Sequence, residues 1–207
     1  MNWANLNLWD DEQKRIQKCI TNSLCELIKN RKVSSTDDEL DMSGKLRPHL
    51  FKAKKELKLS STLHSEASSF ANEDDPKPLG HPDFRFSFNT PDSDQYDYDV
   101  ECKLVRVKIK NKDRNYCKLY VTNGVRRFCD GKYAQSLPAM GTMIGYIQEC
   151  TEIMDLLDEV NKYNREEGIQ EIEDKSKLRN GEVSCLTQEI LRESGKFILH
   201  HQWADLR

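Results

Sequence analysis

The sequence contains no apolar run of the roughly 18–20 residues that a membrane-spanning helix needs. Hydrophobic residues make up only 37% of its 207 positions and charged ones 32%. Mean hydropathy is −0.79. This composition predicts a soluble protein with no membrane partner. The opening stretch, MNWANLNLWDDEQ, has neither a basic nor an apolar segment, so a secretory signal is not expected. The chain also has no excess of positive charge, with 32 Lys and Arg against 35 Asp and Glu, a net charge of −3. A bulk electrostatic grip on nucleic acid is thereby excluded, and any such binding must use local basic patches. The seven cysteines form no CxxC pair, and their number is odd. A disulfide scaffold and a structural zinc site are not expected, and reduced thiols in a cytoplasmic protein are.

Against this background the hydrophobic periodicity marks out elements. Ile16, Ile20, Leu24, Leu27 and Ile28 recur at helical spacing and predict an amphipathic helix over 10–30, with Asp10 as its N-cap and Trp3 and Trp9 just outside it. This segment, residues 1–35, reads as an N-terminal helical extension to a main domain over 36–207. Thr36 to Glu39 has the form of a capping box. A second helix is expected from there, or from Pro48 in a first-turn position, to Leu57. Residues 60–80 hold five serines, two prolines and three adjacent acids, and predict a long flexible loop.

From His81 the period changes to two. Phe84, Phe86 and Phe88 alternate with Asp83, Arg85 and Ser87, and Val100, Cys102 and Leu104 alternate with Asp99, Glu101 and Lys103. Two strands, 83–88 and 98–105, are separated by a turn-rich cluster. A helix is expected from Cys117 to about Ala134, a buried strand over 141–147, a helix over 149–167 stopped near Gly168, a charged loop over 169–183 and a last strand over 197–203. The order α, α, β-hairpin, α, β, α, β defines an α/β three-layer plan.

A hairpin turn centred near Asp92 sets Asp83 opposite Glu101. Side chains alternate faces along a strand. One face of the hairpin is then apolar, while the other gathers Asp83, Asp99, Glu101 and Lys103. Clustered carboxylates repel one another unless a cation lies between them. Mg²⁺ favours a few carboxylate oxygens and retained waters, and can polarise a phosphoryl group. A neighbouring lysine can orient the attacking water and stabilise transition-state charge. The plain alternative is a solvated sheet face with cross-strand ion pairs.

Pro82-Asp83 followed by Glu101-Cys102-Lys103 resembles the PD-(D/E)xK, or restriction-endonuclease-like, nuclease superfamily. The segments YVTNGVRRFCDGKYA, GTMIGYI and FILHHQWADL are similar to small nuclease subunits of bacterial anti-phage defence systems. The resemblance spans roughly residues 36–205. It implies a mixed central sheet flanked by helices, with Asp83, Glu101 and Lys103 as catalytic residues and Mg²⁺, or Mn²⁺ in its place, held by Asp83 and Glu101. Glu39 is the candidate further metal ligand, with Glu56 behind it; as a cap residue Glu39 would instead be structural. Pro91-Asp92 is a rival dipeptide, but it lies in the turn itself. Arg126, Arg127 and Lys132 are candidate phosphate contacts, or else a solvated helix face. One of His200 and His201 must point inward, as a structural residue. Cys102 falls on the apolar face, which argues against a thiol nucleophile. DNA is the expected substrate, and an ATPase or sensor subunit the expected partner because no recognition module or Walker motif is present; a homo-oligomer is left open. The non-enzymatic alternative is an inactive nuclease-like scaffold or adaptor.

Overall fold

The computed structural model describes residues 3–30, 33–34, 37–65, 81–90, 95–109, 112–135, 140–149, 152–173 and 175–207. Seven strands form one mixed sheet in the order β1-β2-β3-β5-β7-β6, with β4 paired to β3 off this path. In chain order the elements are α1 (Trp3–Asn30), α2 (Glu39–Glu56), β1 (Thr62–Ser65), β2 (Phe84–Asn89), β3 (Gln95–Ile109), β4 (Lys112–Asn115), α3 (Cys117–Tyr120), a π-helical turn (Val121–Val125), α4 (Arg126–Cys129), β5 (Met140–Ile147), α5 (Ile153–Glu166), β6 (Val183–Arg192) and β7 (Gly195–Asp205). The β3–β5 and β5–β7 pairs are parallel. All other strand pairs are antiparallel.

Alternation along the strands gives the sheet two apolar faces and two cores. On one side α1 and α2 pack Ile16, Ile20, Leu24, Met42, Leu46 and Leu50 against Phe84, Phe86, Val100, Cys102, Ile144 and Tyr146. On the other, the α3–α4 segment and α5 pack Tyr120, Val125, Phe128, Leu156 and Val160 against Val105, Met143, Leu199 and Trp203. The β2–β3 register pairs Phe84 with Val100, Arg85 with Asp99 and Phe86 with Tyr98. This is the pairing expected from a turn near Asp92, and it places the phenylalanines with Val100 and Cys102 on the α1–α2 side.

Several boundaries differ from the sequence expectation. Asp10 is not a cap, because α1 begins at Trp3. Trp9 lies inside that helix, fully buried and stacked on Phe88 and Tyr96 at 5.8 and 5.5 Å. α1 is thus part of the core shared with α2 and the hairpin. α2 is capped by Asp38: Asp38 accepts from the Asp41 amide while Asp41 accepts from that of Asp38, and Thr36, the cap expected from sequence, lies outside the described residues. Pro48 sits within α2 and not in its first turn. Part of the expected 60–80 loop is the edge strand β1, where Leu63 pairs with Phe86; residues 66–80 lie outside the described residues, as does Asp92. The helix expected to reach Ala134 ends at Cys129. Gly131, at φ +68°, stops it: its amide bonds the Phe128 carbonyl and that of Lys132 bonds the Arg127 carbonyl. Finally, β6 extends the sheet over residues between the expected charged loop and the closing strand, where no element was expected.

Candidate functional site

Asp83 stands one residue ahead of β2, at the mouth of the hairpin, and Glu101 and Lys103 project from β3. The alternation that buries Val100 and Cys102 on one face sends Asp99, Glu101 and Lys103 to the other. The Asp83 carboxylate accepts a 2.6 Å hydrogen bond from the Cys102 amide, which ties it to the strand that carries Glu101. Glu39, the first residue of α2, reaches the cluster from the far side of the sheet edge. Lys103 Nζ lies 2.6 Å from Glu39, 2.9 Å from Glu101 and 2.9 Å from the Cys102 carbonyl. All three ammonium protons therefore have an oxygen to meet.

From the helical layer Arg127 Nη1 donates to Glu101 Oε1 at 2.7 Å and to the Tyr133 hydroxyl at 2.8 Å. Of the three cations expected to meet phosphate, only Arg127 joins this cluster. Arg126 turns to the Glu167 carbonyl and Asp130, and Lys132 pairs with Asp130. Adjacent helical residues point about 100° apart, and Arg126 and Arg127 accordingly turn to different partners.

The electrostatics are those of acids held away from water. Burial, reinforced by the neighbouring Asp83 carboxylate, pushes Glu101 up to about 7 against the pull of Lys103 and Arg127. Burial likewise raises Asp83, partly offset by the Cys102 amide and Lys103. For Lys103 burial works against the charge, but Glu101 and Glu39 outweigh it and the ammonium is held well above its ordinary range. Asp99, fully buried, takes a two-pronged contact from Arg85 at 2.7 and 3.0 Å and accepts from the Ala134 amide at 2.8 Å. It supports the site without facing it.

Glu101 Oε2 is buried and accepts no hydrogen bond. A carboxylate oxygen in that condition carries an uncompensated desolvation cost, which a bound cation would relieve. Asp83, whose charge acts on Glu101, is the neighbouring carboxylate, and these two are the residues that would offer oxygens to a small divalent ion. Among the described residues no three His, Cys, Asp or Glu side chains converge on one point. The reason is visible in the bonding: Glu39 is turned onto Lys103, and Asp83 is held by the strand amide. Outside this cluster an open groove of about 530 Å³ is lined by Glu39, Lys103, Tyr116, Leu119, Asn123 and Arg127. Lys103 and Arg127 both line it, and each is paired with the buried Glu101.

Two neighbours of the site were not evident in the sequence. Tyr133 falls within the helix expected to reach Ala134, although Gly131 two positions earlier is a stop signal. Arg192, which donates to the Ala134 and Tyr133 carbonyls, carries no local signal, whereas Arg85 lies opposite Asp99 as the expected hairpin register requires. His201 is a structural residue, bonded to Tyr120 and Gln188 at 2.8 and 2.9 Å. Cys102 is buried on the opposite face, in the α1–α2 core. No protein-family model, curated protein or solved structure matches the chain.

Proposed function

We propose that the chain is a divalent-cation-dependent nuclease with a PD-(D/E)xK, restriction-endonuclease-like core, hydrolysing phosphodiester bonds of DNA as the effector subunit of a bacterial anti-phage defence complex. The observation that carries this reading is the meeting of Asp83, Glu101 and Lys103 at one end of the hairpin, with an unpartnered buried oxygen on Glu101. The helix, hairpin, helix, parallel strand order around them supports the core assignment. Mg²⁺ or Mn²⁺ bound there would polarise the phosphoryl oxygens and lower the pKa of water. Asp83 and Glu101 are the residues that would hold it. Lys103, whose three protons meet Glu39, Glu101 and the Cys102 carbonyl, would release one of these contacts to orient the attacking water and face the charge that builds on the phosphorus oxygens. Glu39 keeps Lys103 in place, and Arg127 presents a guanidinium to the phosphate across the groove. The acidic net charge fits a nuclease brought to DNA by a partner, of the ATPase or sensor kind, rather than by its own field.

A second reading, an inactive scaffold, draws on the same contacts: Lys103 and Arg127 already neutralise the acids from within. Cleavage of plasmid and linear DNA with Mg²⁺ or Mn²⁺, alone and with neighbouring gene products, separates the two. The nuclease reading expects cutting that Glu101→Ala and Lys103→Ala both abolish. No cutting under any condition, with the defence phenotype intact in both variants, would establish the scaffold.

A further inference from the structure

We propose that Tyr133 is a positioning residue of this site: its hydroxyl fixes the Arg127 guanidinium so that the remaining N–H groups face the groove and take a phosphate oxygen. The phosphate half of this statement rests on the nuclease reading; the holding of Arg127 does not. One nitrogen, Nη1, spends both its hydrogens inward, on Glu101 Oε1 and the Tyr133 hydroxyl. Arg127 makes no other hydrogen bond among the described residues, and its side chain is 38% exposed. Nη2 and Nε make no hydrogen bond among the described residues, and Arg127 lines the groove. The Tyr133 ring is fully buried, packs edge-on against Phe128 at 5.4 Å and lies beneath the Arg127 guanidinium at 5.7 Å.

The backbone around Tyr133 is pinned more firmly than packing of one ring requires. Asp99, itself gripped by Arg85, accepts from the Ala134 amide at 2.8 Å. Arg192 donates to the Ala134 and Tyr133 carbonyls at 3.0 and 3.3 Å. Ala134 is held at φ +50°, a conformation that costs a non-glycine residue about 1 kcal/mol. Two half-buried arginines and a buried aspartate thus converge on a turn whose product is the placement of one phenol. Without that hydroxyl an arginine side chain regains rotamers, and only a fraction of its population would be set for bidentate contact.

The test uses the full chain and Tyr133→Phe, which keeps the ring and its packing. Side-chain NMR of Arg127 is expected to show restricted rotation about the guanidinium bonds in the native protein and averaged signals in the variant. Steady-state DNA cleavage is expected to fall roughly ten-fold in Tyr133→Phe, and the loss should disappear in an Arg127→Ala background. Equal Arg127 rotation in both proteins overturns the proposal. So does a Tyr133→Phe loss that persists undiminished when Arg127 is absent, which would mark a structural role. If the native protein cuts nothing, the nuclease reading fails while the NMR comparison still decides whether Tyr133 holds Arg127.

Discussion

Replacing Glu101 with glutamine is expected to make the fold more stable at neutral and alkaline pH. The buried carboxyl titrates at about 7 in the folded chain against an ordinary 4.5. Between those values the unfolded chain loses the proton and the folded chain keeps it, so stability falls as pH rises. The contribution is fully present below about pH 4.5 and gone above about pH 7. A shift of that size corresponds to about 3 kcal/mol lost to ionising Glu101 inside the site. Glutamine copies the neutral acid in shape and cannot ionise. Its oxygen can still accept from Lys103 and Arg127, but its amide nitrogen would occupy the place of Oε2, which has no partner. That returns about 1 kcal/mol, leaving a net gain of about 2 kcal/mol at pH 8. For a chain of this size the gain corresponds to a Tm rise of roughly 4–8 °C. Urea denaturation of both proteins at pH 5 and pH 8 measures it, and the informative quantity is the difference between them at each pH. A Glu101→Gln protein less stable than the native one at pH 8, or a difference that is the same at both pH values, would refute the reasoning.

Other expectations follow from the same geometry. Asp99→Asn removes the negative charge gripped by a half-buried Arg85, which keeps the longer contact to Asp97 beside it, and weakens the acceptor of the Ala134 amide, and should cost about 3 kcal/mol by chemical denaturation. Lys58, at φ +51° just past the end of α2, occupies a position that favours glycine, and Lys58→Gly should stabilise by about 1 kcal/mol in the same assay. Burial lowers His200 to about 4 and His201 to about 3, so both contribute stability that is present above pH 6.5 and lost as pH falls through those values. His201→Gln should flatten the acid limb of a stability profile; an unchanged limb would contradict that assignment.

The hairpin was legible in the sequence because two constraints act on the same few residues. Period two sorted Phe84, Phe86, Val100 and Cys102 from Asp99, Glu101 and Lys103, and the turn-rich cluster around Asp92 set the register. A slip by one residue would have turned the carboxylates into the α1–α2 core. Less was legible where packing overrides local signals. Trp9 looked like a flank of α1, yet its stacking on Phe88 and Tyr96 draws the helix back to Trp3. Pro48 is tolerated inside α2 against its propensity. β6 was hidden because its outward positions, such as Glu189, are polar and its span falls between the charged loop expected to 183 and the strand expected from 197. In the site, Asp83, Glu101 and Lys103 could be named from the resemblance together with the hairpin register, and that register also sets Arg85 opposite Asp99, whereas the Tyr133–Arg127 contact depends on neighbours brought together only in the folded chain.

The central claim is that this site hydrolyses a phosphodiester bond with water. Metal-dependent cleavage of a DNA substrate in ¹⁸O-labelled water, followed by mass spectrometry of the new phosphate ends, tests it most directly. The account predicts one labelled oxygen per bond cut by the native protein with Mg²⁺, and no product from Glu101→Gln or Lys103→Ala. Cleavage that survives either substitution, or no cleavage with Mg²⁺ or Mn²⁺ in the presence of the protein's partners, would contradict it.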